Sequence, residues 1–268
     1  MESNYISIQD ISIALLWFAI LLIVSFYKRN RIENLEIKKY YIRNILFKFS
    51  FAILFSIIYI VYYGGGDTTA YWDGAITLNK LFFSAPIDYF NHLISEPTSA
   101  LRAMHFSADT GYPPGWIYRE PEAWFVCKLS SIVSIVTFRS YFAGTLIFAF
   151  FTARASWRVF EMLHELETHS ISIAAYCLLF VPSLSFWCTG ISKDTVIYFS
   201  VLNILFYSFD FLILRNKITI IKLLYIGFSL LLIYHIRSFI LAAILAPMIM
   251  AFGARLTNNY ESNFLAKL

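Results

Sequence analysis

The chain has 268 residues, of which 59% are apolar and only 14% charged, with a net charge of +4. A soluble domain of this size carries about 25% charged residues, so the composition argues against any soluble fold. The Lys and Arg residues are dispersed between apolar blocks, which excludes a basic patch for nucleic acid.

Aromatic residues reach 19%, with 27 Phe and 18 Tyr, as suits lipid-facing helices with interfacial belts. A helix needs about 20 largely apolar residues to cross the hydrocarbon core. Seven stretches qualify: 9–27, 44–63, 140–159, 170–189, 195–214, 218–236 and 238–254. The expected fold is therefore all-α, a polytopic helical membrane protein forming one transmembrane domain over 1–268.

The first stretch has an acidic N-terminal flank and no small-residue cleavage site, so it reads as a retained span rather than a leader. The segment after it, KRNRIENLEIKKYYIRN, holds six Lys/Arg between Lys28 and Arg43. By the positive-inside rule this segment is cytoplasmic and the N-terminus lies outside. With seven spans, Arg154, Arg158, Arg215, Lys217, Lys222 and Arg255 also fall inside. Asp67, Asp73, Asp88, Glu96, Asp109, Glu120, Glu122 and Asp194 fall outside. The C-terminus is then cytoplasmic, and a bacterial inner membrane is the expected location.

A large outer loop follows the second span, over 64–122. Tyr71, Ala75, Leu78 and Phe82 recur in it at helical spacing, with Asp73, Thr77 and Lys80 between them. This pattern predicts an amphipathic helix lying along the membrane surface. Pro86, Pro97, Pro113 and Pro114 cut the remainder into short pieces. Ala123–Phe138 is too short and too polar for a span and reads as an interfacial or re-entrant helix. Asp210 is the nearest approach to a charge within a later span, towards its inner end. Cys127, Cys177 and Cys188 form no CxxC and no metal-ligand spacing, and their spacing indicates no disulfide.

Four short stretches carry the ionisable residues of the outer side. In GGGDTTAYWDGA, Asp67 follows three glycines at headgroup depth. It is placed either to take a proton from an acceptor hydroxyl or to cap the helix that begins at Thr68. Asp73 is a second carboxylate on that helix. GYPPGWIYREPEAW offers Arg119, Glu120 and Glu122 beside a rigid proline turn. PSLSFWCTGISKD places Lys193 and Asp194 at the start of a span, where Lys193 suits a lipid phosphate or a snorkelling anchor. YHIRSF puts His235 and Arg237 at an outer turn, where Arg opposes the charge bias and so points to a specific partner. Trp72, Trp116 and Trp124 are candidates for belt anchors or for stacking on sugar rings.

These stretches resemble the glycosyltransferase C superfamily, polytopic enzymes that use polyprenyl-phosphate sugars. The similarity covers about residues 55–250. GGGDTTAYW is similar to the superfamily's first outer loop, with Asp67 in the catalytic slot, and YPPGW, with Pro113 and Pro114, to its Pro-Pro motif. PSLSFWCTGISKD and YHIRSF look like a bacterial group associated with exopolysaccharide synthesis. The resemblance implies Asp67 as general base, with Lys193 and Arg237, assisted by Arg119 and His235, on the donor phosphate. Asp73 and Glu122 complete the implied substrate-binding set. No cofactor is expected, and no carboxylate cage indicates a divalent cation. The bilayer and a polyprenyl-phosphate sugar are the expected partners. The chain departs from the superfamily in its shorter length and in having Thr68 where a second acidic residue follows the catalytic Asp. Two alternatives follow: a polymerase of lipid-linked repeat units, or a non-catalytic assembly or translocation subunit with membrane partners.

Overall fold

The computed structural model describes residues 5–165, 170–212 and 219–265. Every regular element among them is helical. Arg215, Lys217 and the side chains of Asp210 and Arg255 lie outside the described residues.

Helix α1, Ile8–Asn30, starts where the Ser7 hydroxyl accepts the Asp10 amide at 3.0 Å. Lys28 and Arg29 in its last turn complement the helix dipole. It buries only Asp10, Leu21 and Ser25, leaving Leu15 64% and Ile23 68% exposed. A helix apolar on nearly all sides is at home in hydrocarbon rather than water. Helix α2, Leu35–Ile57, is capped by Asn34 and runs on through a π turn over Ile58–Tyr62. The next helices are α3 (Asp67–Ser84), α4 (Pro86–Ile94), α5 (Ser99–His105), α6 (Gly115–Arg119) and α7 (Pro121–Val136). They are followed by α8 (Tyr141–Glu165), α9 (Ile171–Leu179), α10 (Pro182–Trp187), α11 (Lys193–Leu212), α12 (Ile220–Arg237) and α13 (Phe239–Leu265). Pro86, Pro121 and Pro182 open α4, α7 and α10, where a missing amide hydrogen costs nothing.

Three of these helical stretches, Ile8–Asn30, Leu35–Tyr62 and Ile220–Arg237, are long and apolar enough to cross a membrane. A fourth is formed if α7 and α8, bent by 110° at their junction, are one broken span. The bend falls where Phe138 and Arg139 both adopt left-handed backbone conformations.

Cross-chain hydrogen bonds fix the two ends of the bundle. At one end Asp10 caps α8, its carboxylate accepting the Tyr141 amide at 2.8 Å while its carbonyl accepts the Ser140 hydroxyl at 3.1 Å. Thr68 at the start of α3 bonds the Tyr141 hydroxyl at 2.8 Å. At the other end Asn34 meets His164 at 2.8 Å, so α8 runs the length of the bundle. The segment α9–α10 returns along α2, with Lys48 Nζ donating to Ser185 Oγ at 2.8 Å. Helix α11 runs away again, α12 returns beside it, and α13 leaves once more, with Ser208 donating to Met248 Sδ at 3.7 Å.

Helix α3 differs from the surface helix that its stripe predicts. Tyr71, Ala75 and Leu78 are buried as expected, but so are Thr68, Thr69, Trp72, Thr77 and Asn79. The cause is enclosure from several sides: α7 packs along α3, with α4 and α6 against it as well, while Thr68 and Trp72 meet Tyr141 and Gly144 of α8. Polar residues are accommodated by local bonds: Thr77 donates to the Asp73 carbonyl at 2.9 Å, and Asn79 donates to Ser134 Oγ of α7 at 3.0 Å. Lys128, the charged residue of the 123–138 stretch, donates to the Ser95 carbonyl at 2.7 Å. Trp72 and Trp124 belong to this core, at 1% and 0% exposure, so neither is free to stack on a sugar or to serve in a belt.

Candidate functional site

The end of the bundle that carries Asp10 and Tyr141 also gathers the charged residues of four helix termini. After the π turn the chain passes through Gly64–Gly66, all at positive φ. At Gly66 a Cβ would sit 2.9 Å from the Tyr59 ring, so only glycine fits as well as allowing the turn. Asp67 is then the first residue of α3. The Thr69 hydroxyl, not Asp67, accepts the Gly66 amide at 3.0 Å. The Asp67 side chain is exposed, with no hydrogen bond or ion pair among the described residues. It thus sits at a helix N-terminus without acting as its side-chain cap.

One turn further on, Tyr71 is 2% exposed. Burial pushes its phenol well above the usual range, and the negative charges of Asp67, Glu120 and Asp194 add to the shift. Tyr71 is therefore held as the neutral phenol, within the electrostatic reach of carboxylates at three different helix starts. Glu120, immediately before α7, accepts from Lys193 Nζ at 3.3 Å. Asp194 forms an ion pair with Arg237 Nη1 at 3.2 Å, which ties the start of α11 to the end of α12. His235, two residues before that end, stacks on Phe125 of α7 with ring centres 4.7 Å apart and planes at 18°.

Asp67, Lys193, Arg237 and His235 are thus grouped at one end of the fold, and the other three predicted residues are not joined to the group. Asp73 accepts the Tyr5 hydroxyl at 2.6 Å and lines a separate cavity of about 380 Å³ with Asp10 and Arg139. Arg119 is exposed, its Nε bonded to the carbonyl of Gly115 in its own short helix at 3.1 Å. Glu122 is exposed in the first turn of α7, with no bonded partner among the described residues. Pro113 acts through its carbonyl, which accepts Arg102 Nη2 at 3.1 Å.

Two features of the site escape a linear reading. Tyr71 looks like an ordinary apolar stripe residue; its position four residues after Asp67 is the only sequence signal that they share a face. Lys48 lies in the apolar half of α2 and is fully buried, against Ser185 and over the Tyr198 ring at 5.7 Å. Neither partner is near it in sequence.

Chemically, the group offers a free carboxylate and two cations paired with carboxylates, over a buried phenol. The starts of α3, α7 and α11 add the positive ends of their dipoles, which favour anions. Comparison of the chain with family models, curated proteins and solved structures returns no match.

Proposed function

We propose that the chain is a membrane glycosyltransferase that takes its sugar from a polyprenyl-phosphate donor at the outer water interface. The observation that carries this reading is the unpaired Asp67 carboxylate grouped with Lys193 and Arg237 on converging helix ends. Asp67 removes the proton from the acceptor hydroxyl, whose oxygen forms the new bond to the anomeric carbon as the bond to the phosphate oxygen breaks. Polyprenyl phosphate departs with the electron pair, and Lys193 and Arg237 offset its charge. Both cations already have partners, but exposed ion pairs are worth only about 0–1 kcal/mol, so a phosphate displaces them readily. A polymerase joining lipid-linked repeat units would use the same groups on a larger acceptor.

The topology belongs to the same proposal. Helices α1, α2, α8, α9–α10, α11, α12 and α13 supply seven crossings, with the N-terminus and Asp67 outside a bacterial inner membrane. Lys28, Arg31, Arg154 and Arg158 stand at the opposite end of the bundle, as cytoplasmic residues would.

Transfer from a labelled polyprenyl-phosphate sugar tests the chemistry. Asp67→Asn should lower the rate by about 10²–10⁴-fold, the usual contribution of a general base. Lys193→Ala and Arg237→Ala should each weaken donor binding, whereas Glu120→Gln, which releases Lys193, should tighten it. Wild-type rates in Asp67→Asn, with donor affinity unchanged in both cation variants, would remove the enzyme reading.

One observation favours a non-catalytic assembly subunit instead. Glu120 and Asp194 neutralise Lys193 and Arg237 one for one, as in a clasp joining α7, α11 and α12. A clasp predicts that the cation variants lower stability while Asp67→Asn changes nothing.

A further inference from the structure

The opposite end of the bundle holds a cavity of about 610 Å³, in the range of small-ligand pockets. It lies between the α1–α2 turn and the last turns of α8. Its floor is apolar and aromatic: Ile37, Tyr41 and Trp157 are each at most 5% exposed, and the two rings meet edge to face at 4.9 Å. Lys28, Arg31, Arg154 and Arg158 line the space above. Among the described residues, none of these four cations forms an ion pair.

Their contacts are with neutral groups. Arg158 Nη1 donates to Asn203 Oδ1 at 3.2 Å and to the Tyr207 hydroxyl at 3.1 Å, and its guanidinium lies over the Tyr207 and Tyr225 rings. Arg154 lies over the Phe150 ring at 5.7 Å, and Arg31 donates to the Tyr27 hydroxyl. The charge bias of membrane proteins explains the end of the bundle at which such residues stand. It does not explain a half-buried arginine turned onto neutral acceptors, because a topological cation extends its charge into water. Partly buried guanidinium groups held by no ion pair among the described residues, in a lining where four cations exceed three carboxylates, leave a net attraction for an anion, and their planar forks match phosphate oxygens.

Glu33, Glu161 and Glu165 share the lining. They would repel a bare polyanion and accept hydrogen bonds from hydroxyl groups on a ligand. We infer that this cavity binds a phosphate ester bearing hydroxyl groups, delivered either as the headgroup of an anionic phospholipid or as a soluble phosphate ester. The site is separate from the Asp67 group and stands whether or not the transferase reading holds.

The test uses the full chain in phosphatidylcholine nanodiscs, with the thermal unfolding midpoint as readout. In one arm phosphatidylglycerol replaces a fraction of the lipid; in the other, glycerol 3-phosphate is titrated into discs of phosphatidylcholine alone. At least one arm should raise the midpoint, and the arm that does identifies the source. Arg154→Gln breaks no hydrogen bond in the structure and should weaken the apparent affinity about tenfold, as for loss of one charge-assisted contact. Arg29→Gln, a nearby cation outside the cavity lining, should leave it unchanged. No shift in either arm, a full shift retained in Arg154→Gln, or an equal loss in Arg29→Gln would overturn the assignment.

Discussion

Adding one methyl group at Gly144 tests how firmly the helix carrying Asp67 is seated. Gly144 lies on α8, and a Cβ built there would stand 2.5 Å from Cη2 and 2.7 Å from Cζ3 of Trp72 on α3. The indole has little room to retreat. It is 1% exposed and meets the Tyr141 ring edge-on at 6.0 Å, while Tyr141 is itself bonded to Thr68. Forcing a methyl group into such packing costs about 1–3 kcal/mol. Replacing a helical glycine by alanine gains back about 1 kcal/mol of backbone preference. Gly144→Ala should therefore destabilise by roughly 0–2 kcal/mol, the difference of those two ranges. Gly227→Ala on α12, where a Cβ meets nothing within 4 Å, should stabilise by up to about 1 kcal/mol. Reversible denaturant unfolding in detergent micelles, followed by far-UV circular dichroism, measures both. Trp72→Phe added to Gly144→Ala should cost less than the sum of the single changes, because the smaller ring vacates the contact. A Gly144→Ala protein as stable as Gly227→Ala, or strict additivity in the double variant, would refute the claim that α3 is locked against α8.

Acid should weaken the core built on residues 64–122 through His92. Burial, with the nearby His105 and Lys128, pushes this imidazole down from its ordinary 6.5 to about 4, against a smaller opposing effect of Asp88. The unfolded chain then binds the proton that the folded chain refuses, so stability is full above about pH 6.5 and is lost as the pH falls towards 4. The loss is on the order of 2–3 kcal/mol, and His92→Gln should flatten the dependence of the unfolding midpoint over that window. Asp10→Ala should cost about 1–2 kcal/mol by removing the cap on α8, whereas Asp10→Asn, which keeps an acceptor for the Tyr141 amide, should cost less; unfolding of the two variants side by side checks this.

The helices and their apolar stretches are legible along the chain, because hydrophobic length and charge spacing are properties of neighbouring residues. The stretch at 218–236 corresponds to α12, Ile220–Arg237, and the stripe at Tyr71, Ala75 and Leu78 marks the side of α3 that is buried. The burial of the other residues is not legible, since their cover comes from α7 and α8, which lie far along the chain. The split between Asp67 and Asp73 could have been read: six residues apart on one helix, they point about 120° apart. Asp67 accordingly stays with the charged group at the helix ends, while Asp73 turns to Tyr5. Lys48 was beyond a local reading, because its partner Ser185 is 137 residues away.

By itself, then, the sequence determined that this protein is built of apolar helices and which of its residues bear charge, since both follow from side-chain chemistry summed over contiguous turns. Only the tertiary structure decided which charges meet. Lys193 reaches Glu120 across 73 residues, and Arg237 reaches Asp194 only because α11 and α12 pack side by side. No local preference encodes a distance of that kind; the packing of helices that are far apart in the chain sets it.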